Sequence, residues 1–427
     1  MDANRIFDTS FNVIKSIIKD KISFNSAIKN QIKNIRKDEL NLISNLSGLF
    51  LRNYFSIRYI TEASFNTNQL EVVIYSGLVF VNIYFKKGVD EKAAITYLAN
   101  KLELFQIKYD EETKAKFKKF LENKNDSLKE YLDTKFKGKA FRKYLSALTN
   151  LPERIIKMIQ NQYDRKIGFD TIHSIFRMPS QYAIGNILLA DNLTDQMKSN
   201  FHIIEPNFYE YDQKTSIRKE EAIRTGLLLP IQKAEYNLVK SLPNLLGSNI
   251  TFYFEEKSSI YYALINKYLN EGNKLSLACN KPSLNQDLYS KIKPLGINKL
   301  DIYESTHSEL IAHLSEKQDL FILLPENSNF EQLRRVPEYG ILFDTSKLDS
   351  IIENEFTKLS DSTQYIADDG LLVYVVPTLN IKETMIITNK FLNAHKEFTK
   401  VKEETFFPFE KDNSILYYAI FQKKVSK

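Results

Sequence analysis

An all-α N-terminal domain followed by an α/β domain on a doubly wound, mainly parallel sheet is the fold class this sequence predicts. Three observations lead to it. Through the first 130 residues, apolar side chains recur at threes and fours with few Gly or Pro to interrupt them. From Ile250 onward, short apolar runs alternate with polar segments of helix length. A chain of 427 residues also exceeds what one hydrophobic core serves, so two or three domains are expected.

The first helical signal is Phe7, Phe11, Ile14 and Ile18, and the second is Leu40, Ile43, Leu46 and Phe50, with Asp38 as its expected N-cap. The longest apolar stretch, Val72 to Phe85, contains Ser76, Gly77 and Asn82. It is too short to span a bilayer and is expected to be a buried core segment. Between Lys124 and Tyr144 the character changes. Lys135, Lys137, Lys139, Arg142 and Lys143 interleave with Phe136, Phe141 and Tyr144. Cations pair with phosphates and aromatic rings stack on bases, which makes this a candidate RNA-contacting linker. The same composition also suits a solvated, lysine-rich connection.

Strands are expected at Ile250–Phe254, Lys274–Cys279, Lys299–Tyr303, Asp319–Leu324, Leu371–Val376 and, closing the sheet, Ile415–Lys424. Helices are expected at about Ser258–Asn270, Ser283–Lys293, His307–Ser315, Lys347–Ile366 and Lys382–Ala394. In such sheets ligands bind beyond the carboxyl ends of the strands, here the loops EEKSS, NKPS, ESTH and PENSN. The expected domains are 1–130, helical; 131–240, a linker and small RNA-binding subdomain; and 241–427, α/β.

Hydrophobic content of 43% and charged content of 26% are those of a soluble globular protein. The N-terminus lacks a signal-peptide core, so a cytoplasmic protein with no membrane partner is expected. One cysteine excludes an internal disulfide and a cysteine-rich zinc site. His173, His202, His307, His313 and His395 lack metal-ligand spacing, so no metal is expected. A net charge of +6 suits nucleic acid without demanding it. No GxSxG and no phosphate-binding GxxxxGK[ST] occurs, and Asp368 and Asp369 before Gly370 read as turn residues. The turn after the first strand, Phe254 to Ser258, has no glycine for close backbone approach to a nucleotide. The second strand ends in Cys279 and Asn280, neither of which offers a carboxylate to ribose hydroxyls. No dinucleotide or adenosyl cofactor is therefore expected, and Cys279 reads as a small buried hydrophobe. No oligomeric signal is present, and a monomer is expected.

The segment LLVYVVPTLNIKETMIITNKFLNAHKEF resembles the closing motif of the Sun-type (Fmu) family of ribosomal RNA cytosine carbon-5 methyltransferases, with Leu372, Val373, Tyr374, Leu379, Asn380, Glu383, Phe391 and Leu392 in step. Upstream, ILLPENSNFEQLRRVPE is similar to the family's LLDAPCSG...LRRNPD segment through Ser328, Leu333, Arg334, Arg335 and Pro337. Ser146, Pro152 and Tyr163 match a family helix, and Gly226 and Gln232 a family turn. The helical N-terminal region resembles the NusB-like RNA-binding domain of the bacterial branch. The resemblance implies a Rossmann-like methyltransferase domain, S-adenosylmethionine as cofactor, and a ribosomal RNA partner.

The departures concern chemistry. In the family one cysteine thiolate attacks carbon 6 of cytosine and a second helps to release the enzyme. Those positions align with Asn327 and Pro377, and neither has a thiolate to offer. The family's acidic residue aligns with Leu324, its glycine-rich motif with Ile250–Lys257, and its ribose-binding acid with Cys279. What the resemblance implies is a catalytically inactive relative that binds small-subunit ribosomal RNA, as an assembly factor or placeholder. Lys135, Lys137, Lys139, Arg142, Lys143, Arg334 and Arg335 are its candidate RNA contacts, with no catalytic or cofactor-binding residue. Two other readings stay open. One is an active methyltransferase with altered chemistry and Cys279 as sole thiol. The other is a NusB-like protein-interaction module in transcription.

Overall fold

The computed structural model describes residues 2–31, 35–177, 179–189, 192–212, 215–269, 272–292, 300–410 and 414–425. Asn270, Lys293 and Lys299, which bound expected elements, lie outside them. The chain forms two compact units: Met1–His173 with Gln332–Thr345, and Ser174–Glu331 with Ser346–Lys427.

The first unit is helical: α1 (Ala3–Asp20), α2 (Phe24–Gln31), α3 (Lys37–Arg52), α4 (Tyr54–Phe65), α5 (Leu70–Tyr84), α6 (Glu91–Glu103), α7 (Glu111–Glu122), α8 (Lys124–Phe136), α9 (Phe141–Thr149), α10 (Glu153–Gln162) and α11 (Arg165–Ser174), the last ending at the boundary. The expected Val72–Phe85 core segment is α5, which packs against α1, α3, α4, α6 and α7. Because it is surrounded, its apolar residues run all round it instead of forming a stripe. Asp2, Asp90 and Asp110 each accept a hydrogen bond from the backbone N–H three residues on, capping α1, α6 and α7. Asp38 does not cap α3: the helix starts at Lys37 after Arg36, and Asp38 lies in its first turn, where a carboxylate still complements the helix dipole.

Gln332–Thr345 leaves the second unit to pack with these helices. It carries two one-turn helices, Gln332–Arg335 and Tyr339–Leu342. Ile341 and Leu342 pack on the helical core. Glu338 accepts from the Phe24 N–H at 2.8 Å. The Arg52 guanidinium donates to the carbonyls of Arg334 (3.1 Å) and Arg335 (2.8 Å), and Arg154 to those of Gly340 (3.0 Å) and Ile341 (3.1 Å).

The second unit holds two sheets. A small antiparallel sheet contains β1 (Gln181–Gly185), β2 (Phe201–Glu205), β3 (Phe208–Tyr211) and β4 (Leu228–Ile231) in the order β2-β3-β1-β4. The large sheet contains β5 (Asn249–Phe254), β6 (Lys274–Cys279), β7 (Leu300–Glu304), β8 (Gln318–Leu324), β9 (Ile366–Val376), β10 (Phe398–Phe406) and β11 (Leu416–Lys423). Its order is β10-β11-β9-β8-β5-β6-β7. The pairs β5–β6, β5–β8, β6–β7 and β8–β9 are parallel, and β11 runs antiparallel to both β9 and β10. Strand order reverses beside β5, so β5, β6 and β8 define the crevice where doubly wound sheets bind ligands.

The six expected strands are present, and β10 is an additional one. Helices form at Ile260–Tyr268, Pro282–Ile292, Leu348–Asp361 and Met385–Ala394. His307–Ser315 is not a full helix; it contains only a short 3-10 turn, Glu309–Ala312, that buries Leu310. Asp368 and Asp369 lie within β9 instead of a turn before it. Asp369 is left-handed (φ 64°) where the β8–β9 register shifts. A Cβ at Gly370 would come within 2.9 Å of the Gln318 carbonyl, so only glycine lets the strands approach there.

Candidate functional site

At the carboxyl end of β5, Glu255 is 2% exposed. The Lys358 ammonium donates to both its oxygens at 2.7 and 2.5 Å. The Tyr253 hydroxyl (3.0 Å), the Asn280 amide (3.3 Å) and the Glu326 backbone N–H (2.9 Å) donate as well. Burial raises the Glu255 pKa, but Lys358 and the Glu326 amide outweigh it and hold the carboxyl below its ordinary range. Burial instead raises Glu256, with Lys281 at 3.5 Å and the Asn329 amide at 3.3 Å partly opposing it.

These donors satisfy the Glu255 carboxylate from within the chain. An adenosyl cofactor needs glycines for close backbone approach and an acid for the ribose hydroxyls. The residues present do not fit it: Glu255 is bonded internally, residues 255–259 include no glycine, and β6 ends in a buried thiol.

The ends of β8 and β9 adjoin. Ser328 and Thr378 hydroxyls lie 2.6 Å apart, and the Glu331 N–H donates to the Pro377 carbonyl at 3.2 Å. Asn327 and Pro377 are the flanking residues, so the two positions that carry cysteines in the Sun-type pattern come together. Asn327 turns inward, donating to the Pro325 carbonyl at 2.9 Å and accepting from the Asn329 N–H at 2.7 Å. Glu383 accepts from the Ser328 N–H at 2.6 Å and the Asn380 amide at 2.8 Å. Glu355 is fully buried, and among the described residues neither of its oxygens has a hydrogen-bond partner. Burial and the Glu383 carboxyl push its pKa well above the ordinary range. Cys279 is buried at the end of β6, and burial raises its thiol to about 11, so very little thiolate forms at neutral pH.

In the helical unit, Lys135 pairs with Glu62 and lies over the Tyr59 and Tyr131 rings, so its charge is engaged by the protein. Lys137 ends α8 in the left-handed conformation, and Lys139 follows in the exposed turn. Ala140 precedes α9 with φ 56°, and Phe141 is 59% exposed. Ala140, Phe141, Arg142 and Lys143, with Glu153 and Gln160 of α10, line an open cleft of about 360 Å³. The Arg142 Nε–H donates to Gln160 Oε1 at 3.1 Å. Arg334 is 2% exposed, so it is a packing residue of the segment tied down by Arg52 and not a surface RNA contact; Arg335 is exposed. Sequence reasoning missed the exposed Arg165, Lys166, Phe169 and His173 on α11, where Phe169 and His173 rings stack 4.0 Å apart. Their i, i+1, i+4, i+8 spacing places them on one face, a signal the sequence does contain.

Compared with solved structures, the chain is similar to PH0851 (TM-score 0.71, 13% identity, 99% of each chain covered). The fold is a Rossmann-like methyltransferase fold behind a helical N-terminal region. Two further structures share it over the shorter span that they contain. A methyltransferase homolog protein from Pyrococcus horikoshii aligns with TM-score 0.55 and 12% identity, over 66% of this chain and 99% of that one. NSun6 from Pyrococcus horikoshii, solved with SFG, aligns with TM-score 0.55 and 10% identity, over 65% of this chain and 100% of that one. No family model and no curated protein sequence matches the chain. On this fold, the Glu255 network occupies the strand ends at the sheet's switch point. Among the described residues no helix is long and apolar enough to cross a membrane, and no group of three or more His, Cys, Asp or Glu is placed to hold a metal ion.

Proposed function

We propose that the chain is an RNA-binding protein on a methyltransferase scaffold that no longer transfers a methyl group. Its RNA is ribosomal, of the small subunit, and it acts during subunit assembly. The observation that carries this reading is the juncture of β8 and β9. Asn327 and Pro377 stand together there without a thiol, and the sole cysteine is buried on another strand with a raised pKa. No nucleophile of the cytosine carbon-5 type is available to such a site.

The self-paired Glu255 further supports loss of the cofactor. Retention of RNA binding rests on the helical unit, read as NusB-like, and on its exposed Lys137, Lys139, Arg142 and Lys143. In-cell crosslinking of the tagged protein, followed by sequencing of the attached RNA, tests the reading. Discrete crosslinks in small-subunit ribosomal RNA are expected. If no RNA is enriched, the RNA-binding reading is wrong and the helical unit is a protein-interaction module.

A further inference from the structure

We infer that the surface formed by α9, α10 and the start of α11 is a platform for an unpaired strand of RNA, held without regard to base sequence. This rests on the RNA-binding reading and deepens it, adding the strand state and the place. Two independent observations coincide there. The first is charge. Residues 137–169 hold eight Lys and Arg against two acids, Glu153 and Asp164. The other 51 Lys and Arg of the chain are matched by 51 Asp and Glu, so this stretch accounts for the whole net charge of +6. Lysines just upstream are answered locally, Lys116 by Glu112, Lys119 by Glu130 and Lys135 by Glu62. Asp164 caps α11, accepting from the Lys166 and Ile167 N–H groups at 2.8 and 3.0 Å. A cation excess confined to one part of a fold is the electrostatic footprint of a polyanion site.

The second observation is aromatic. Of the chain's 29 phenylalanines, Phe141 (59%) and Phe169 (56%) are the exposed ones among the described residues, and both fall in the charged stretch. Both belong to helices that pack on α10. Phe141 opens α9, and Gly168, beside Phe169, faces Ile159 of α10, where a Cβ would lie 3.8 Å from Ile159 Cγ2. The His173 ring stacks on Phe169 at 4.0 Å, and its Nδ1–H donates to the Phe169 carbonyl at 2.9 Å. That ring pair is therefore held in place before a ligand arrives. Lys157 shares the α10 face of Glu153 and Gln160, which line the cleft with Arg142 and Lys143. Cations alone would serve a duplex as well as a single strand. The exposed rings decide between them, because a ring stacks on a base only when that base is splayed from its neighbours, as in unpaired RNA. Every base has a π-face, so stacking of this kind tolerates any sequence.

Fluorescence anisotropy of the full chain with short labelled RNAs tests this. One probe is oligouridine, one is an unstructured strand of mixed sequence, and one is that mixed strand annealed into a duplex. The two single strands are expected to bind alike and more tightly than the duplex. Phe141→Ala and Phe169→Ala should each weaken the single strands roughly 5- to 100-fold and leave the duplex unchanged, with Phe141→Tyr and Phe169→Tyr restoring affinity. Replacing both Arg142 and Lys143 by Ala should reduce the salt slope for the single strands by about 1.4, two phosphate contacts at ~0.7 each. If the duplex binds as tightly as the strands, or if both alanine variants of the phenylalanines bind every probe as the unaltered protein does, the platform is wrong while RNA binding stands. If the unaltered protein binds no probe and no cellular RNA crosslinks to it, both the platform and the RNA-binding reading fail.

Discussion

Glu355 and Glu383 bury two carboxyls side by side, while Lys358, which acts on Glu355 through space, is bonded to Glu255. Two like charges cannot both ionise in such a place, and Glu355 keeps its proton. An unfolded Glu loses its proton near 4.5, whereas native Glu355 keeps its proton well above that. Between those values the native state binds more protons than the unfolded state. The stabilisation is therefore fully present below the unfolded pKa and is lost as pH rises through the folded one. Glu355→Gln replaces the buried carboxyl with an amide that does not titrate. It should raise unfolding free energy at pH 8 by about 1–3 kcal/mol, the range for a buried polar group left unsatisfied. At pH 4 the gain should vanish. Urea denaturation at the two pH values checks this, and an equal effect at both would refute the retained proton. Sequence reasoning found Glu383 through its motif but gave Glu355 no role, because only the fold brings the helix Leu348–Asp361 against the closing motif. Arg334 shows the converse: its charge suggested RNA, yet its segment is drawn into the helical core.

At the level of elements, periodicity was most legible where burial is strongest. The buried parallel strands β5, β6 and β8 read directly as apolar runs, and α5 as a continuous apolar segment. Strand β10 escaped notice because it is an edge strand whose Lys400, Val401, Lys402 and Glu403 carry little apolar alternation. The small sheet has strands of four or five residues, too short to establish a period of two. Gly77 is a glycine inside a central helix, a costly choice unless packing requires it. Here packing does: a Cβ would press on the Phe50 ring and lie 2.6 Å from the Ile57 Cγ2 of α4. Gly77→Ala gains helix propensity but overpacks this crossing, and the expected net effect is a loss of about 1–3 kcal/mol. Hydrogen exchange should show it as faster opening of α3, α4 and α5 with the large sheet unaffected. Unchanged protection in α5 would mean that the crossing has slack.

For the whole molecule, the scaffold and the chemistry separate. Residues that make strands and helices give a methyltransferase fold at 13% identity to PH0851, while those at the crevice bond to one another. Ligand linkage distinguishes a silent scaffold from an active one, because a ligand that binds only the native state stabilises it by RT ln(1 + [L]/Kd), about 2.7 kcal/mol at 100 Kd. At 1 mM S-adenosylmethionine, a site with a dissociation constant of about 10 μM would therefore shift thermal unfolding by several degrees. With Glu255 already satisfied by Lys358, Tyr253, Asn280 and Glu326, no shift is expected. Structured ribosomal RNA should raise the midpoint, and the rise should shrink as salt increases. Lys358→Met sharpens the comparison. It frees the Glu255 carboxylate, so a cofactor response in that variant alone would identify the ion pair as the plug. A shift with S-adenosylmethionine in the unaltered protein would instead restore the methyltransferase reading and require a nucleophile other than a thiolate at Asn327 or Pro377.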